Sequence, residues 1–310
     1  MLEAYIAHRH DETTRTLRAF VSRLHEPVAR PAFPSLLPKI SIITPSYNQA
    51  KFLERTLLSI LNQNYPYLEL IVIDGGSTDG SVDIIRKYED RLAYWVSEKD
   101  RGQSDALNKG FRRATGDYVG WQNSDDLFYP GALMALAEAA MRTGAPIVSG
   151  NLYVANHENQ IYREVRYTPM TRKSLAVVKA SIPNQAALWR RDLMEKYGFI
   201  DEKKQYCMDL ELWSRLLRAG SNVVVPEAYG VYTVHAETKT TTMDHIHRSE
   251  REQIVAGLNK EEGRSGTRVD DLRVVAQKML AHARQGDTRY LTEKFLTKLV
   301  GVDDWQREPK

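Results

Sequence analysis

One cysteine, Cys207, stands in 310 residues, so no disulfide forms within the chain, and no Cys/His cluster has zinc-finger spacing. The longest apolar runs fall far short of the roughly 20 residues that a membrane-spanning helix needs, and the first residues lack the apolar core of a signal peptide. A cytoplasmic protein is the expectation. Charge of one sign is not in excess either: 43 Lys and Arg stand against 40 Asp and Glu, for a net +3. That balance argues against a dedicated nucleic-acid binder, so no nucleic-acid partner is expected. No GxGxxG follows the first predicted strand and no GxxxxGK[ST] occurs anywhere, which removes the dinucleotide fingerprint and the P-loop.

What is present is 42% hydrophobic content, enough for one large α/β domain with accessory helices. Residues 1–38 form a first unit. Leu17, Phe20, Val21 and Leu24 recur at helical spacing with Arg15, Arg18 and Arg23 between them, and Pro27, Pro31, Pro34 and Pro38 then end the helix. Two readings stay open for it: packing on the main domain or a second subunit, as in a homodimer, or contact with anionic lipid through its basic side, which would make the protein peripheral at the inner face of the membrane.

From Ile40 short β-rich runs alternate with helical ones, the pattern of a mostly parallel sheet with crossover helices. Strands are predicted at Ile40–Thr44, Leu68–Asp74, Leu92–Ser97 and Tyr118–Gln122, and helices at Phe52–Asn62, Ser81–Tyr88, Gln103–Arg113 and Gly131–Thr143. Further strands are expected near Ile147–Val154, Ile161–Tyr167, Gln185–Trp189 and Tyr229–Val234, with a helix at Met208–Ala219. The sheet becomes mixed there. The core domain spans 39–243, and residues 244–310 form a polar, helical extension that folds back on it.

In open sheets ligands sit beyond the carboxyl ends of the strands, so those residues carry the functional reading. After the first strand, Thr44-Pro45-Ser46-Tyr47-Asn48-Gln49 offers a turn and a ring able to stack on a base. After the second, Asp74 is followed by Gly75-Gly76-Ser77-Thr78-Asp79-Gly80; one of Ser77, Thr78 or Asp79 caps the next helix, leaving Asp74 to accept from a ligand. The third leads through Asp100 to Gln103 at a helix N-terminus, where backbone N–H groups could face a phosphate. The fourth ends in Asn123-Ser124-Asp125-Asp126. Adjacent carboxylates favour a bound cation, Mg²⁺ or Mn²⁺, although a cap or turn is the plainer reading.

Four segments together, SIITPSYNQAKFLERTLLSILNQ, LELIVIDGGSTDGSVDII, SEKDRGQSDALNKGFRRATGDYVGWQNSDD and MDLELWSRL, resemble the family-2 inverting glycosyltransferases of GT-A fold, in order and in spacing over roughly residues 40 to 240. The resemblance implies a Rossmann-like α/β fold with a mixed, mainly parallel sheet, extra helices at both ends, a nucleotide-binding half at 39–130 and an acceptor-binding half at 131–243. It puts Thr44, Pro45, Tyr47 and Asn48 around the nucleoside, Asp74 on the base, and Asp100 and Gln103 along the sugar and diphosphate. Asn123 replaces the first aspartate of a strict D-x-D, Asp125 faces ribose or metal, and Asp126 is the main metal ligand. Asp209 matches the general base, with Met208 where a glutamate usually stands. His235 resembles a residue that some relatives direct at the diphosphate or metal, though a lone histidine is as readily structural.

The activity so implied is transfer of one sugar from a nucleotide-diphosphate donor, a UDP-sugar by analogy, to a saccharide or lipid-linked acceptor, in bacterial polysaccharide or glycoconjugate synthesis. The rivals are a processive synthase, a nucleotidyltransferase and a catalytically silent nucleotide-sugar-binding or scaffold protein. Gln185-Ala186-Ala187-Leu188-Trp189 lacks the arginine of the processive Q-x-x-R-W motif.

Overall fold

The computed structural model describes residues 10–26, 37–177, 182–236, 244–263, 268–284 and 286–287. Helix α1, Asp11–Phe20, comes first. The alternating region then gives β1 (Ile40–Ser46), α2 (Ala50–Leu61), β2 (Leu68–Asp74), α3 (Ser81–Lys87), β3 (Tyr94–Ser97), α4 (Gln103–Arg113) and β4 (Tyr118–Trp121). These agree with the sequence reading to within a few residues. The pairs β1–β2, β1–β4 and β2–β3 are all parallel.

Beyond β4 come β5 (Leu127–Phe128), α5 (Ala132–Thr143), β6 (Ile147–Asn156), β7 (Ile161–Val165), α6 (Arg172–Leu175), β8 (Ala187–Arg190), α7 (Asp192–Tyr197), α8 (Met208–Leu216) and β9 (Val223–Val234). Helices α9 (Asp244–Glu261) and α10 (Arg268–Arg284) follow. The nine strands form one sheet in the order β3-β2-β1-β4-β8-β6-β9-β5, with β7 on β6. Strand β8 runs antiparallel to both β4 and β6, which makes the sheet mixed as expected.

Both faces of the sheet are covered, and the period-2 alternation of β1 shows how. Ile43 faces α4 and α8, in a core with Ile71, Trp121, Phe111 and Trp213. Ile40 and Ile42 face α2 and α5, with Leu57, Val72 and Leu136. Trp189 of β8 sits at the centre of the first layer, edge-on to Trp121 at 6.1 Å and to Trp213 at 5.1 Å between centroids. Trp213 is a packing residue, as its helical position implies. The α4 backbone approaches β1 so closely that a Cβ on Gly110 would stand 2.4 Å from Ile43 Cγ2.

Strand β9 starts six residues earlier than expected. Pro226 lies inside it and lacks the N–H a central strand donates, so the sequence reads as broken there. The structure accommodates it with a register shift against β6, and Asn151 Nδ2 donates to the Pro226 carbonyl at 2.6 Å. Gln185 and Ala186, expected to begin a strand, instead belong to a 3₁₀ turn over Asn184–Ala186.

Of the two readings of the N-terminal helix, the structure favours packing. Leu17 and Val21 are buried with Leu127, Ala155, Ile161 and Val231, so its apolar stripe is used inside the fold. Asn62 holds the end of this segment by donating to the Phe20 and Arg23 carbonyls and accepting the His25 N–H. Pro27, Pro31 and Pro34 lie outside the described residues. The C-terminal extension folds back: Ile254 and Leu258 of α9 and Val274 of α10 join the core beside α8. No helix among the described residues is long and apolar enough to cross a membrane.

Candidate active site

The loops after β1 and β2 are built on each other. Asn48 takes a positive φ of 51°, a conformation asparagine tolerates, and bridges them: its N–H donates to Ser77 Oγ at 2.7 Å while its Oδ1 accepts the Thr78 N–H at 2.9 Å. Asp79 accepts from Ala50 N and Ser81 N, tying the same loop to the starts of α2 and α3. Thr44 and Pro45 are buried within β1, and the Thr44 hydroxyl has no partner. Tyr47 is 61% exposed, which leaves its ring open for stacking.

Asp74 already accepts four hydrogen bonds within the protein. Its Oδ2 takes the N–H groups of Gly76 and Ser77 and the Ser97 hydroxyl, and its Oδ1 takes the Ser77 hydroxyl. It is fully buried and shapes the Gly75–Ser77 loop from within. Asp100 is what approaches that loop from outside: a Cβ on Gly75 would stand 2.7 Å from its Oδ2. At the start of α4 the N–H groups of Gly102 and Arg101 are taken by Asp100 Oδ1 at 2.8 Å and Asp105 Oδ2 at 3.1 Å. Those two N–H groups are therefore satisfied by the protein's own carboxylates.

The adjacent carboxylates after β4 differ sharply. Asp126, expected to be the main metal ligand, is 1% exposed, and both its oxygens are taken. Its Oδ1 accepts Thr233 N at 2.9 Å, and its Oδ2 accepts Asn123 Nδ2 and Gln185 Nε2, each at 3.0 Å. Burial and the neighbouring charge of Asp125 push its carboxyl upward, against the pull of these donors. Asp125 is the more open of the pair, its side chain 23% exposed, and its Oδ2 lies 3.0 Å from His235 Nε2. The imidazole is stacked on Phe52 with centroids 4.4 Å apart, which fixes its plane. Asn123, in place of the first acidic residue, works as a bridge: it accepts from Gln103 Nε2 at 2.8 Å and donates to Asp126.

The residues here suit a hard divalent cation in one respect. Asp125 and His235 offer an oxygen and a nitrogen at one place, a set compatible with Mn²⁺ or Mg²⁺ when substrate phosphates and water complete the shell. Among the described residues there is no group of three or more His, Cys, Asp or Glu able to hold a metal by itself.

Asp209 lies at the second position of α8 and is half-buried. Burial raises its carboxyl above the ordinary carboxylate range, while hydrogen bonds from its own and the Leu210 N–H and the charges of His247 and Arg251 pull the other way. Glu211, two residues on, makes a salt bridge with Arg215. Both its oxygens meet Arg215, whose guanidinium also donates to the carbonyls of Tyr197, Gly198 and Phe199 and so fastens the preceding loop. Cys207 is buried, and burial first, then the Asp209 and Glu250 charges, push its thiol up to about 12.

Gln103 and Ser104, adjacent in the first turn of α4, connect the two halves. Gln103 reaches Asn123 beside the carboxylate pair, while Ser104 Oγ lies 3.4 Å from the Lys204 carbonyl and 3.5 Å from Met208 Sδ, next to Asp209. Sequence reasoning missed Gln185, Thr233 and Arg55. Gln185 entered the sequence reading only through the incomplete Q-x-x-R-W match, which gives no hint of a bond to Asp126, and Thr233 acts through its backbone. Arg55 is a buried cation 4.8 Å over the Phe52 ring, its guanidinium lowered to about 10 by burial against the charges of Asp125 and Asp126. Lys239, four residues beyond His235, lies outside the described residues.

Comparison with known proteins is consistent with this layout. The model of the family described as "Glycosyl transferase family 2" matches residues 41–198. A Campylobacter jejuni relative, GalNAc(5)-diNAcBac-PP-undecaprenol beta-1,3-glucosyltransferase, is 26% identical over 215 residues, or 66% of this chain and 68% of its own. Among solved structures, S. aureus TarS in complex with UDP-GlcNAc superposes with a TM-score of 0.60 at 19% identity, over 79% of this chain and 72% of its own. The mannosyltransferase PcManGT from Pyrobaculum calidifontis, in complex with GDP-Man and Mn²⁺, superposes with a TM-score of 0.51 at 20% identity, over 99% of this chain and the whole of its own. The mixed sheet flanked by helices is thus the GT-A fold, and the chain belongs to glycosyl transferase family 2.

Proposed function

We propose that this glycosyltransferase moves a single sugar from a nucleotide-diphosphate sugar, a UDP-sugar, to a hydroxyl of a saccharide or lipid-linked acceptor, with inversion at the anomeric carbon. One observation carries the reading: the first turn of α4 joins the loop of Asp125 to the loop of Asp209 through adjacent side chains. A donor site and a base are thereby coupled through a single helical turn. The UDP-GlcNAc complex of TarS supports the donor class, and the name of the Campylobacter relative supports a lipid-linked acceptor and a role in glycoconjugate synthesis.

In this reading Tyr47 stacks on the base, Asn48 and Asp74 hold the loops beneath it, and Asp100 and Gln103 border the sugar and diphosphate. Asp125 with His235 would hold Mn²⁺ or Mg²⁺, and the manganese in the PcManGT complex supports that class of ion. When bound, the ion supplies Lewis-acid stabilisation of the charge developing on the departing diphosphate. Asp126 keeps the loop of Asp125 in place and does not itself reach the ion. Asp209 takes the proton of the acceptor hydroxyl as that oxygen attacks the anomeric carbon opposite the leaving group, which requires a separation of about 3 Å in the complex. A single displacement of this kind inverts the centre.

The test is release of free nucleoside diphosphate from UDP-, GDP- and dTDP-sugars with and without Mn²⁺, on the wild type, Asp125→Asn and Asp209→Asn. Metal-dependent release that Asp125→Asn abolishes is the expected result. Pyrophosphate released from a nucleoside triphosphate and a sugar 1-phosphate, with no diphosphate released from the NDP-sugars, would instead identify a nucleotidyltransferase, and folded protein that binds no donor would sink the enzyme reading.

A further inference from the structure

The C-terminal helix α9 does more than cover the core. Its Glu250 points at the segment before α8 and accepts three successive backbone N–H groups: Oε1 takes Gln205 at 2.8 Å, and Oε2 takes Tyr206 at 2.9 Å and Cys207 at 2.8 Å. Two residues beyond Cys207 stands Asp209. Three charge-assisted bonds from one carboxylate fix the direction of these peptides, and the first turn of α8 continues from them. Burial works against the ionised form of Glu250, but the three bonds outweigh it and hold its carboxyl below the ordinary range.

The helix that carries Glu250 is itself anchored. Arg172 forms ion pairs with Glu261 and Glu262, Arg218 also meets Glu261, and Ile254 and Leu258 are buried in the core. At the other end of the contact, Cys207 Sγ lies 3.5 Å from the His247 carbonyl, and Lys204 Nζ donates to Gln253 Oε1 at 3.1 Å. His247 and Arg251, the two side chains whose electrostatic influence on Asp209 opposes burial, flank Glu250 on the same helix.

We propose that Glu250 is a positioning residue for the transfer reaction: by gripping the amides of Gln205, Tyr206 and Cys207 it fixes the start of α8 and with it the carboxylate of Asp209. The C-terminal extension is then part of the acceptor half. This rests on the reading of Asp209 as the base.

The experiment compares the wild type, Glu250→Gln, Glu250→Ala, Asp209→Asn and the double variant Asp209→Asn/Glu250→Ala, all in the full chain. Cys207, the only thiol, reports on the clamp without any substrate. Its alkylation by a maleimide in folded protein is expected to quicken about tenfold or more in Glu250→Ala through local opening. Donor Kd should stay within about twofold while kcat falls on the order of 10²-fold, the scale set by a displacement of about 1 Å at a reacting group. Glu250→Gln, which keeps one acceptor oxygen, should fall between the two. In the Asp209→Asn background, Glu250→Ala should cost little further, because the two act through one group. A Glu250→Ala protein with unchanged kcat overturns the proposal even if alkylation quickens, and so does an undiminished further loss in the double variant. If the wild type releases no nucleoside diphosphate from any donor, the transfer reading itself has failed and this inference falls with it.

Discussion

The backbone N–H of Thr233 donates to Asp126 Oδ1 at 2.9 Å, joining residues 107 positions apart. This bond ties β9 to the loop after β4 and settles which of the two adjacent carboxylates faces inward. Asp126→Ala leaves the N–H of Thr233 and the amides of Asn123 and Gln185 without their acceptor, so it should destabilise the fold by about 2–4 kcal/mol. Asp125→Ala should leave stability nearly unchanged and remove metal-dependent donor binding. Thermal unfolding together with nucleotide titration in Mn²⁺ separates the pair.

Gly75 keeps room for Asp100. A methyl there would stand 2.7 Å from Asp100 Oδ2, so Gly75→Ala must push the carboxylate aside and break its bond to the Gly102 N–H. Overpacking of this kind costs about 1–3 kcal/mol. Because Asp100 borders the donor in the proposed function, the expected result is weaker donor binding with a small loss in Tm, measured by calorimetric titration and thermal melts. Unchanged donor affinity would place Asp100 away from the donor.

Asp209 trades stability for chemistry. Its carboxyl is raised in the fold from the ordinary 3.8, so the unfolded chain gives up its proton first as pH climbs. Stability is thereby lost as pH rises from that value through the folded one, and the loss persists at neutral pH. Asp209→Asn removes the titration, so it should unfold at a higher temperature than the wild type near pH 7 while transfer falls about 10²–10⁴-fold. A lower Tm would contradict the first half of this expectation.

Far from the site, Glu69 sets an acid limit. Burial opposes its charge, but Lys39, Ser41 and Thr115 all donate to it and bring its carboxyl from 4.5 to about 2. The stabilisation is full above pH 4.5 and is lost as pH falls towards 2. Glu69→Gln should cost on the order of 3 kcal/mol at neutral pH and flatten the decline of Tm between those limits, with turnover at pH 7 unaffected. Melting curves across that range check it.

The βα pattern of the first half was legible because β1, β2 and β4 are largely buried on both faces, only the edge strand β3 being partly open, and the crossover helices between them turn apolar residues inward. The first half of β9 was not, since Pro226 signals a break that only a tertiary register shift against β6 removes. On paper the resemblance put Asp126 ahead of Asp125 as the metal ligand. Their difference in the structure depends on Thr233 and Gln185, which are distant in sequence and carry no signal of a bond to a carboxylate. The internal bonds of Asp74 were hidden for a related reason: three of its four come from the loop that immediately follows it, and Ser77, read as a possible helix cap, spends both its N–H and its hydroxyl on the strand tip instead. Asp209 was marked by the resemblance of MDLELWSRL to the family's pattern, whereas Glu250 was not, because a glutamate on a polar helix gives no hint that it grips a loop some 43–45 positions away.

The two ends of the main sheet path are short strands: four residues in β3, the same as in β4 and β8, and two in β5, the shortest of all. An outer strand of that length presents few open backbone groups to a passing chain, and at β3 the Arg113 guanidinium lies 3.8 Å over the Tyr94 ring and adds a charge to the margin. Strand-to-strand association between molecules is therefore discouraged at both ends of that path, even where a broad, strongly apolar sheet fills the interior.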